Sequence, residues 1–221
     1  MDQNIEHTEL INKRKWDLRA ATFSQKRFDY FRWMQKRAIR LIDLRPGIHF
    51  LDIGCGTGWA VRYVASLLRY EGEFYGIDIS KAMIEIARVQ SHNFRNVHFY
   101  GANAEQLPLD SEYVDCAICT NSFHHYLNPS KALAEIHRVL AADSRIHIMD
   151  LTTDDFLMRF IDDLFRKKER EHVKFYGSKG YQDMFEAAQL KYLGSKLLVY
   201  PIKVHIAKKQ SPTLVQPQPR Y

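Results

Sequence analysis

Short apolar runs alternate with amphipathic segments through the middle of the chain. Five runs have the length and composition of buried strands: 48–53, 73–78, 97–101, 113–121 and 145–151. Helix-type patterns separate most of them. This succession predicts an α/β fold with a doubly wound, mostly parallel sheet that is covered by helices on both faces.

The intervening segments carry start signals for helices as well as helical periodicity. We predict helices over 59–70, from Ser80 to about residue 90, and from Asn128 onward. Ser80 is a favourable N-cap, and Asn128 is a cap followed by Pro129 in the first turn.

Elements outside this core complete a single domain. Two late apolar runs, 191–200 and 202–208, predict an antiparallel hairpin that brings the Rossmann-like sheet to seven strands, and a helix over 178–190 precedes them. The Pro- and Gln-rich tail is expected to be disordered. We divide the chain into an N-terminal helical cap (1–45), a core (46–151), an inserted lid helix (152–176), a C-terminal helix and hairpin (177–209), and the tail (210–221).

The cap and the lid helix are rich in large apolar side chains. The cap carries many aromatic residues, and the lid helix carries one apolar stripe. We expect the two segments to build an apolar, covered pocket. The stripe consists of Phe156, Leu157, Phe160, Ile161, Leu164 and Phe165.

Charge and hydropathy indicate the cellular location of the protein more than the reaction it carries out. The net charge of +6 suggests an anionic partner, but the basic residues are dispersed along the chain. No apolar run approaches the roughly 20 residues that span a bilayer. Residues 1–14 are polar and lack the apolar region of a signal peptide, so we expect a cytoplasmic protein.

Three cysteines are too few for a disulfide framework. Cys116 and Cys119 form a C-x-x-C, yet they lie in a predicted strand, where residues three apart point to opposite faces. No second pair completes a zinc site. We therefore expect core cysteines and no bound metal.

The strongest motif is a glycine-rich turn at 51–59, between a predicted strand and a predicted helix. Gly54, Gly56 and Gly58 let the backbone turn sharply and approach a ligand, and the helix after them presents free N–H groups. A nucleotide-like ligand is therefore expected. The third glycine of the dinucleotide fingerprint would stand at Trp59, which weighs against a nicotinamide cofactor.

Two further polar residues follow the next two strands. Asp78 ends the second strand, where a carboxylate can accept hydrogen bonds from both ribose hydroxyls of an adenosine. Asn103 follows the third strand, and its amide can pair with the edge of an adenine.

Taken together, the segments 51–59, 76–80, 102–109 and 120–126 resemble the ordered motifs of class I S-adenosylmethionine-dependent methyltransferases. The resemblance is close over about residues 45–151. In detail the chain is similar to the small-molecule branch that includes the ubiquinone and menaquinone biosynthesis enzymes. Asn103 departs from the aspartate common at its position, and 141–144 lacks the usual glycine pair.

The resemblance implies S-adenosylmethionine as cofactor, S-adenosylhomocysteine as product, and a role for each matching residue. The loop 54–58, including Cys55, holds the methionine part, with Asp52 near its amino group. Asp78 takes the ribose hydroxyls. The remaining implied contacts are Ile79 and Met83 packing on adenine, Asn103 and Ala104 at its edge, and Asn121 beside the methyl donor.

The loop after the fourth strand, 121–126, contains the candidate catalytic residues. His124 and His125 could act as a general base or as hydrogen-bond partners of the acceptor, or they could be structural. The loop lacks the Asn/Asp-Pro-Pro-Tyr run of nucleic-acid amino-methyltransferases, and no cysteine is placed to act as a nucleophile. A small-molecule acceptor is therefore expected rather than nucleic acid.

Two alternatives remain open at this stage. One is a nicotinamide-dependent oxidoreductase, against which Trp59 and the segment 102–109 argue. The other is a non-catalytic module that binds a cofactor or RNA on the same fold, since a fold does not determine a function.

Overall fold

The protein is described from a computed structural model that covers residue 10, residues 13–18, residue 20, and residues 29–168 and 173–211. Residues 13–18 are helical, as predicted for the N-terminal cap. Apart from residues 10 and 20, the rest of the predicted cap before residue 29 lies outside the described residues, as does the predicted disordered tail after residue 211.

Seven strands form one sheet, as the hydrophobic pattern predicts. They are β1 (Ile48–Ile53), β2 (Gly72–Asp78), β3 (Val97–Gly101), β4 (Val114–Thr120), β5 (Leu140–Leu151), β6 (Leu190–Val199) and β7 (Ile202–Lys209).

Six α-helices accompany the sheet over the described ranges from residue 29 onward. They are α1 (Asp29–Ile39), α2 (Trp59–Leu67), α3 (Lys81–Val89), α4 (Pro129–Val139), α5 (Phe156–Lys168) and α6 (Ser178–Ala187). Ser80 caps α3 and Asn128 caps α4 through side-chain oxygens, as predicted. A short 3-10 helix, Phe123–His125, follows β4.

The strand order is β3-β2-β1-β4-β5-β7-β6. Strands β1 to β5 pair in parallel, whereas β7 pairs antiparallel with both β5 and β6. The order reverses between β1 and β4. In a doubly wound sheet, ligands bind outside the carboxyl ends of the strands at such a switch point.

Each face of the sheet buries its own apolar layer. On one face, α4 and α6 pack through residues such as Ile136 and Phe185, and on the other α2 and α3 pack through residues such as Val61 and Ile84. Cys119 belongs to the first layer and Cys116 to the second, which confirms the predicted opposite orientation. All three cysteines are unbridged, and burial raises the pKa of each thiol well above its usual range.

Several predicted boundaries were wrong for a local backbone reason. Helix α2 ends at Leu67 rather than residue 70, because Arg69 and Tyr70 have φ of 52° and 63°. Helix α6 ends at Ala187 rather than residue 190, and Gln189 has φ of 59° before β6 begins. Left-handed backbone cannot continue a helix, and side-chain periodicity does not report it.

The predicted turn at 141–144 is part of β5. The strand runs from Leu140, and its register against β4 shifts between Val114 and Cys116. Asp143 takes φ of 65° within this irregularity, and Lys208 of β7 lies 2.7 Å from its carboxylate. Residues 141–144, which the sequence pattern assigned to a separate turn, thus lie in an irregular part of β5.

The predicted stripe on the lid helix divides between two sides of α5. Met158 is buried and Phe165 lines a cavity, whereas Phe156 and Phe160 are mostly exposed. The buried side of α5 therefore includes Met158 and Asp162, which the predicted stripe did not contain.

Among the residues that the structure describes, the helices are too short or too polar to span a membrane.

Candidate functional site

A cavity of about 380 Å³ opens at the carboxyl ends of β1, β2 and β4. Its wall combines the glycine loop, the segments after β2 and β3, the loop after β4, and aromatic residues from outside the core. The sequence-predicted residues in the wall are Gly54, Cys55, Gly56, Asp78, Ile79, Met83, Asn103, Ala104, Asn121, His124 and His125.

The glycine loop depends on backbone that side chains disfavour. Gly54, Gly56 and Gly58 have φ of 74°, 53° and 74°. A Cβ on Gly54 would lie 2.0 Å from the Ser122 hydroxyl, so the loop after β4 packs directly on the glycine. The two loops can approach because Gly54 has no side chain.

Two predicted residues lie behind the cavity rather than in its wall. A Cβ on Gly58 would lie 2.4 Å from the Phe99 ring, so this glycine permits packing between the helix and the sheet. Asp52 is completely buried, one residue before the wall residue Ile53.

The glycine loop is hydrogen-bonded to the end of strand β2. The amides of Gly54 and Cys55 both donate to the carbonyl of Ile77, at 2.7 and 3.0 Å. The Asp78 carboxylate accepts from the amide of Gly56 at 2.8 Å and from that of Ser80 at 2.9 Å. Each oxygen retains further acceptor capacity toward the cavity. Burial raises the pKa of the Asp78 carboxyl, and these two hydrogen bonds oppose the rise.

Orphaned polar atoms lie at the base of this region. Neither carboxyl oxygen of Asp52 has a hydrogen-bond partner among the described residues, and the same holds for Oδ1 of Asn121. Burial, with a smaller contribution from the Asp78 charge, raises the pKa of Asp52 to about 8. Buried groups of this kind fit a ligand that brings hydrogen-bond donors or positive charge.

The segment after β3 forms a tight turn against the cavity. Asn103 Oδ1 accepts from the amide of Glu105 at 3.0 Å, and the Asn103 carbonyl accepts from the amide of Gln106. The side-chain oxygen of Asn103 therefore holds the turn together. The sequence analysis assigned this side chain only to the adenine edge and did not predict the bond to Glu105.

His124 is held by a carboxylate that the sequence reasoning missed. Its Nδ1 lies 2.8 and 2.9 Å from the two oxygens of Asp150, and its backbone amide donates to the same carboxylate at 3.1 Å. Asp150 is completely buried near the end of β5, the strand beside β4. An acidic residue near the end of the next parallel strand was the available signal.

The remaining neighbours of the histidine pair are aromatic. The His124 ring lies 3.8 Å from that of His125 and 4.7 Å from that of Phe175, measured between centroids. Trp16 meets His125 edge-on at 5.2 Å, and it lines the cavity together with Phe31 and Phe165. The N-terminal segments and α5 thus both contribute to the wall, as expected for the pocket.

Metal-binding geometry is not found in the described part of the chain, where no three histidine, cysteine or carboxylate side chains cluster suitably. The lining of the pocket suits an organic ligand. It combines a backbone cradle, carboxylates and an apolar aromatic wall.

Comparison with known proteins points to one family. Residues 51–148 match the family described as methyltransferase domain. The uncharacterized methyltransferase YcgJ of Bacillus subtilis is 32% identical over 158 residues, which cover 70% of this chain and 61% of that protein. The ubiquinone/menaquinone biosynthesis C-methyltransferase UbiE of Coxiella burnetii is 31% identical over 124 residues, covering 55% of this chain and 50% of UbiE. The chain thus spans between half and two thirds of these relatives.

Solved structures share the fold. A putative methyltransferase of Haloferax volcanii, in complex with the Trm112 methyltransferase activator, superposes with a TM-score of 0.77 at 17% identity, covering 89% of this chain and 98% of that one. A SAM-dependent methyltransferase of Aquifex aeolicus gives 0.70 at 18% identity, with coverage of 87% and 98%. These matches, the glycine loop and the strand order identify residues 51–148 as a methyltransferase domain with the fold of the class I enzymes, the family whose cofactor is S-adenosylmethionine.

Proposed function

We propose that this chain transfers a methyl group from S-adenosylmethionine to a small-molecule acceptor by in-line displacement. One observation carries the proposal: a single cavity joins a nucleotide-type cradle to an apolar aromatic wall. Gly56 and Asp78 belong to the cradle, whereas Trp16, Phe31 and Phe165 belong to the apolar part. A pocket of this kind has room for two organic reactants side by side.

The cradle residues fit the cofactor in chemical type. The remaining acceptor capacity of Asp78 suits the ribose hydroxyls, and the unpartnered carboxyl oxygens of Asp52, just behind the wall, suit the hydrogen-bond donors of an amino group. Ile79 and Met83 offer apolar surface to the adenine. We assign the adenine edge to Asn103 and Ala104, and the side of the methyl donor to Asn121.

When bound, the cofactor supplies a methyl group on a positively charged sulfur, which becomes a neutral thioether on transfer. The protein's contribution is then to align the acceptor and to exclude water. The aromatic residues Trp16 and Phe175 are suited to both tasks, because they pack against the histidine pair where the two parts of the cavity meet.

We assign to His124 the role of a general base for an acceptor whose nucleophilic atom carries a proton. A hydrogen bond to an ionised carboxylate requires the proton on Nδ1, so Asp150 selects the tautomer whose Nε2 can accept a proton. The ring borders the cavity and is nine-tenths buried. His125, whose ring lies between those of His124 and Trp16, is assigned to acceptor binding.

Isothermal titration calorimetry tests the cofactor half of the proposal. S-adenosylmethionine and S-adenosylhomocysteine should bind and NAD should not. Asp78→Asn should weaken the binding of both sulfur nucleotides at least tenfold. The variant lacks the negative charge that strengthens the hydrogen bonds from the glycine loop and, in our proposal, from the ribose. The exposed Asp43→Ala is the matched control and should bind like the wild type. Binding of NAD alone would contradict the proposal.

Transfer of a labelled methyl group tests the acceptor half. Phenols, amines and enolisable ketones are offered in parallel with bulk RNA as the nucleic-acid arm. Label in a small molecule supports the proposal, and label confined to RNA contradicts it. His124→Gln should lower turnover by about a hundredfold or more, while leaving cofactor affinity unchanged. Full turnover in His124→Ala/His125→Ala would exclude the base.

A further inference from the structure

Helix α5 carries a second apolar face that points away from the protein. Four of its side chains are exposed, by 84% for Phe156, 58% for Leu157, 54% for Phe160 and 39% for Leu164. Because successive helical residues are about 100° apart, the four fall within an arc of about 100°. Met158 and Asp162, which are buried, lie on the opposite side of the helix.

Such a face is unusual for a helix that already packs on its own domain. Single exposed apolar residues are common, but a contiguous group of two phenylalanines and two leucines marks an interaction site. Packing within the described chain does not account for it, since the inward side of α5 is formed by other residues. We call these four residues the outer face of α5.

The charges around the outer face select the partner. Arg159, Arg166 and Lys167 are all exposed on the same helix. The exposed acidic residue among them, Asp163, lies 4.0 Å from Arg166 and is offset by it. Basic side chains therefore border the apolar arc, in a chain whose net charge is +6. The complementary partner is apolar in depth and negative at its surface, as an anionic lipid bilayer is.

We propose that the outer face of α5 docks this chain on an anionic lipid surface. In this arrangement Phe156 and Phe160 enter the boundary between headgroups and acyl chains, and the basic side chains contact the lipid phosphates. The helix lies in the plane of the interface and does not span the membrane.

A second helix supports the location of this surface. Helix α1 exposes Tyr30 and Trp33, whose rings stack at 6.0 Å, and the Arg37 guanidinium lies 5.0 Å from the Trp33 ring. Aromatic rings beside basic groups are typical of proteins at lipid–water interfaces. Both helices also contribute a ring to the cavity wall, Phe31 from α1 and Phe165 from α5. Docking would therefore bring the cavity close to the lipid.

Sedimentation with vesicles tests the proposal on the full chain without any methyl acceptor. The probes are vesicles of phosphatidylcholine alone and of phosphatidylcholine mixed with phosphatidylglycerol. The wild type should sediment with the mixed vesicles and much less with the neutral ones, and added salt should weaken binding. Phe156→Ser/Phe160→Ser should reduce binding roughly tenfold or more, because two rings no longer leave water.

A matched double variant controls for loss of exposed apolar surface in general. Leu67→Ser/Val89→Ser changes two exposed residues at the ends of α2 and α3, and should bind vesicles like the wild type. Circular dichroism checks that both variants fold. Should Phe156→Ser/Phe160→Ser unfold, Arg166→Glu/Lys167→Glu tests the electrostatic half and should also lose binding to the mixed vesicles.

Three outcomes would overturn the proposal. The wild type could stay in the supernatant with mixed vesicles, or a folded Phe156→Ser/Phe160→Ser could bind as tightly as the wild type. The third outcome is that light scattering shows a dimer for the wild type and a monomer for Phe156→Ser/Phe160→Ser. The partner of the outer face would then be a second copy of the chain. None of these depends on methyl transfer, so failure here and failure of the proposed function remain distinguishable.

Discussion

Gly54 shows how one residue couples two loops of the site. Its φ of 74° is unfavourable for any side chain, and a Cβ there would lie 2.0 Å from the Ser122 hydroxyl. Gly54→Ala should therefore lower the free energy of unfolding by about 2 kcal/mol or more and weaken the binding of S-adenosylhomocysteine at least tenfold. Urea unfolding and calorimetry measure the two effects.

Gly47 supplies the control for that substitution. Its φ of 80° is similar, but a Cβ there would meet nothing within 4 Å. Gly47→Ala should cost only the backbone strain, about 1 kcal/mol, and leave cofactor affinity intact. Equal losses of affinity in the two variants would show that the contact with Ser122 is irrelevant.

Asp52 makes stability depend on pH. Burial raises its pKa from the ordinary value of 3.8 to about 8, so the folded protein holds a proton that the unfolded chain releases. The free energy of unfolding should therefore fall as pH rises from about 4 to 8. Asp52→Asn should remove this decline, so that the variant gains stability relative to the wild type across that window. Parallel unfolding curves at all pH values would contradict the orphaned state of the carboxyl.

At the scale of elements, α4 owes its start to Asn128. The side-chain oxygen accepts from the amide of Lys131 at 3.1 Å, and Pro129 occupies the first turn. Asn128→Ala should lower the free energy of unfolding by about 1 kcal/mol, whereas Asn128→Ser should retain most of it. Denaturant titration separates the two variants. A loss as large in Asn128→Ser would assign the effect to something other than the cap.

Strands and helix starts were predictable because their signals are local. The predicted β1 and β3 match the observed strands, and both predicted caps form. Helix ends were less predictable, because α2 and α6 stop at left-handed residues rather than at a change in periodicity. The inward side of α5 was unpredictable for another reason: apolar residues occupy both sides of the helix, and only its packing shows which side is buried.

At the scale of the molecule, ligand binding and folding are linked. A ligand that binds only the folded chain at about 100 times its dissociation constant adds about 2.7 kcal/mol to the free energy of unfolding. For a domain of this size, S-adenosylhomocysteine should then raise Tm by roughly 5–10 °C. Calorimetric scans with the nucleotide measure the shift, with NAD as the negative control. Equal shifts with both would argue against a specific cradle.

The pattern of residues along the chain was sufficient to predict the succession of strands, the glycine loop and the resemblance to class I methyltransferases, because each depends on contiguous residues. Tertiary structure decided what those segments meet. Asp150 reaches His124 from 26 positions away because β5 pairs with β4. Ser122 packs on Gly54 because β1 neighbours β4 at the switch point. Such contacts arise from the order of strands in the sheet, which no local pattern of side chains encodes.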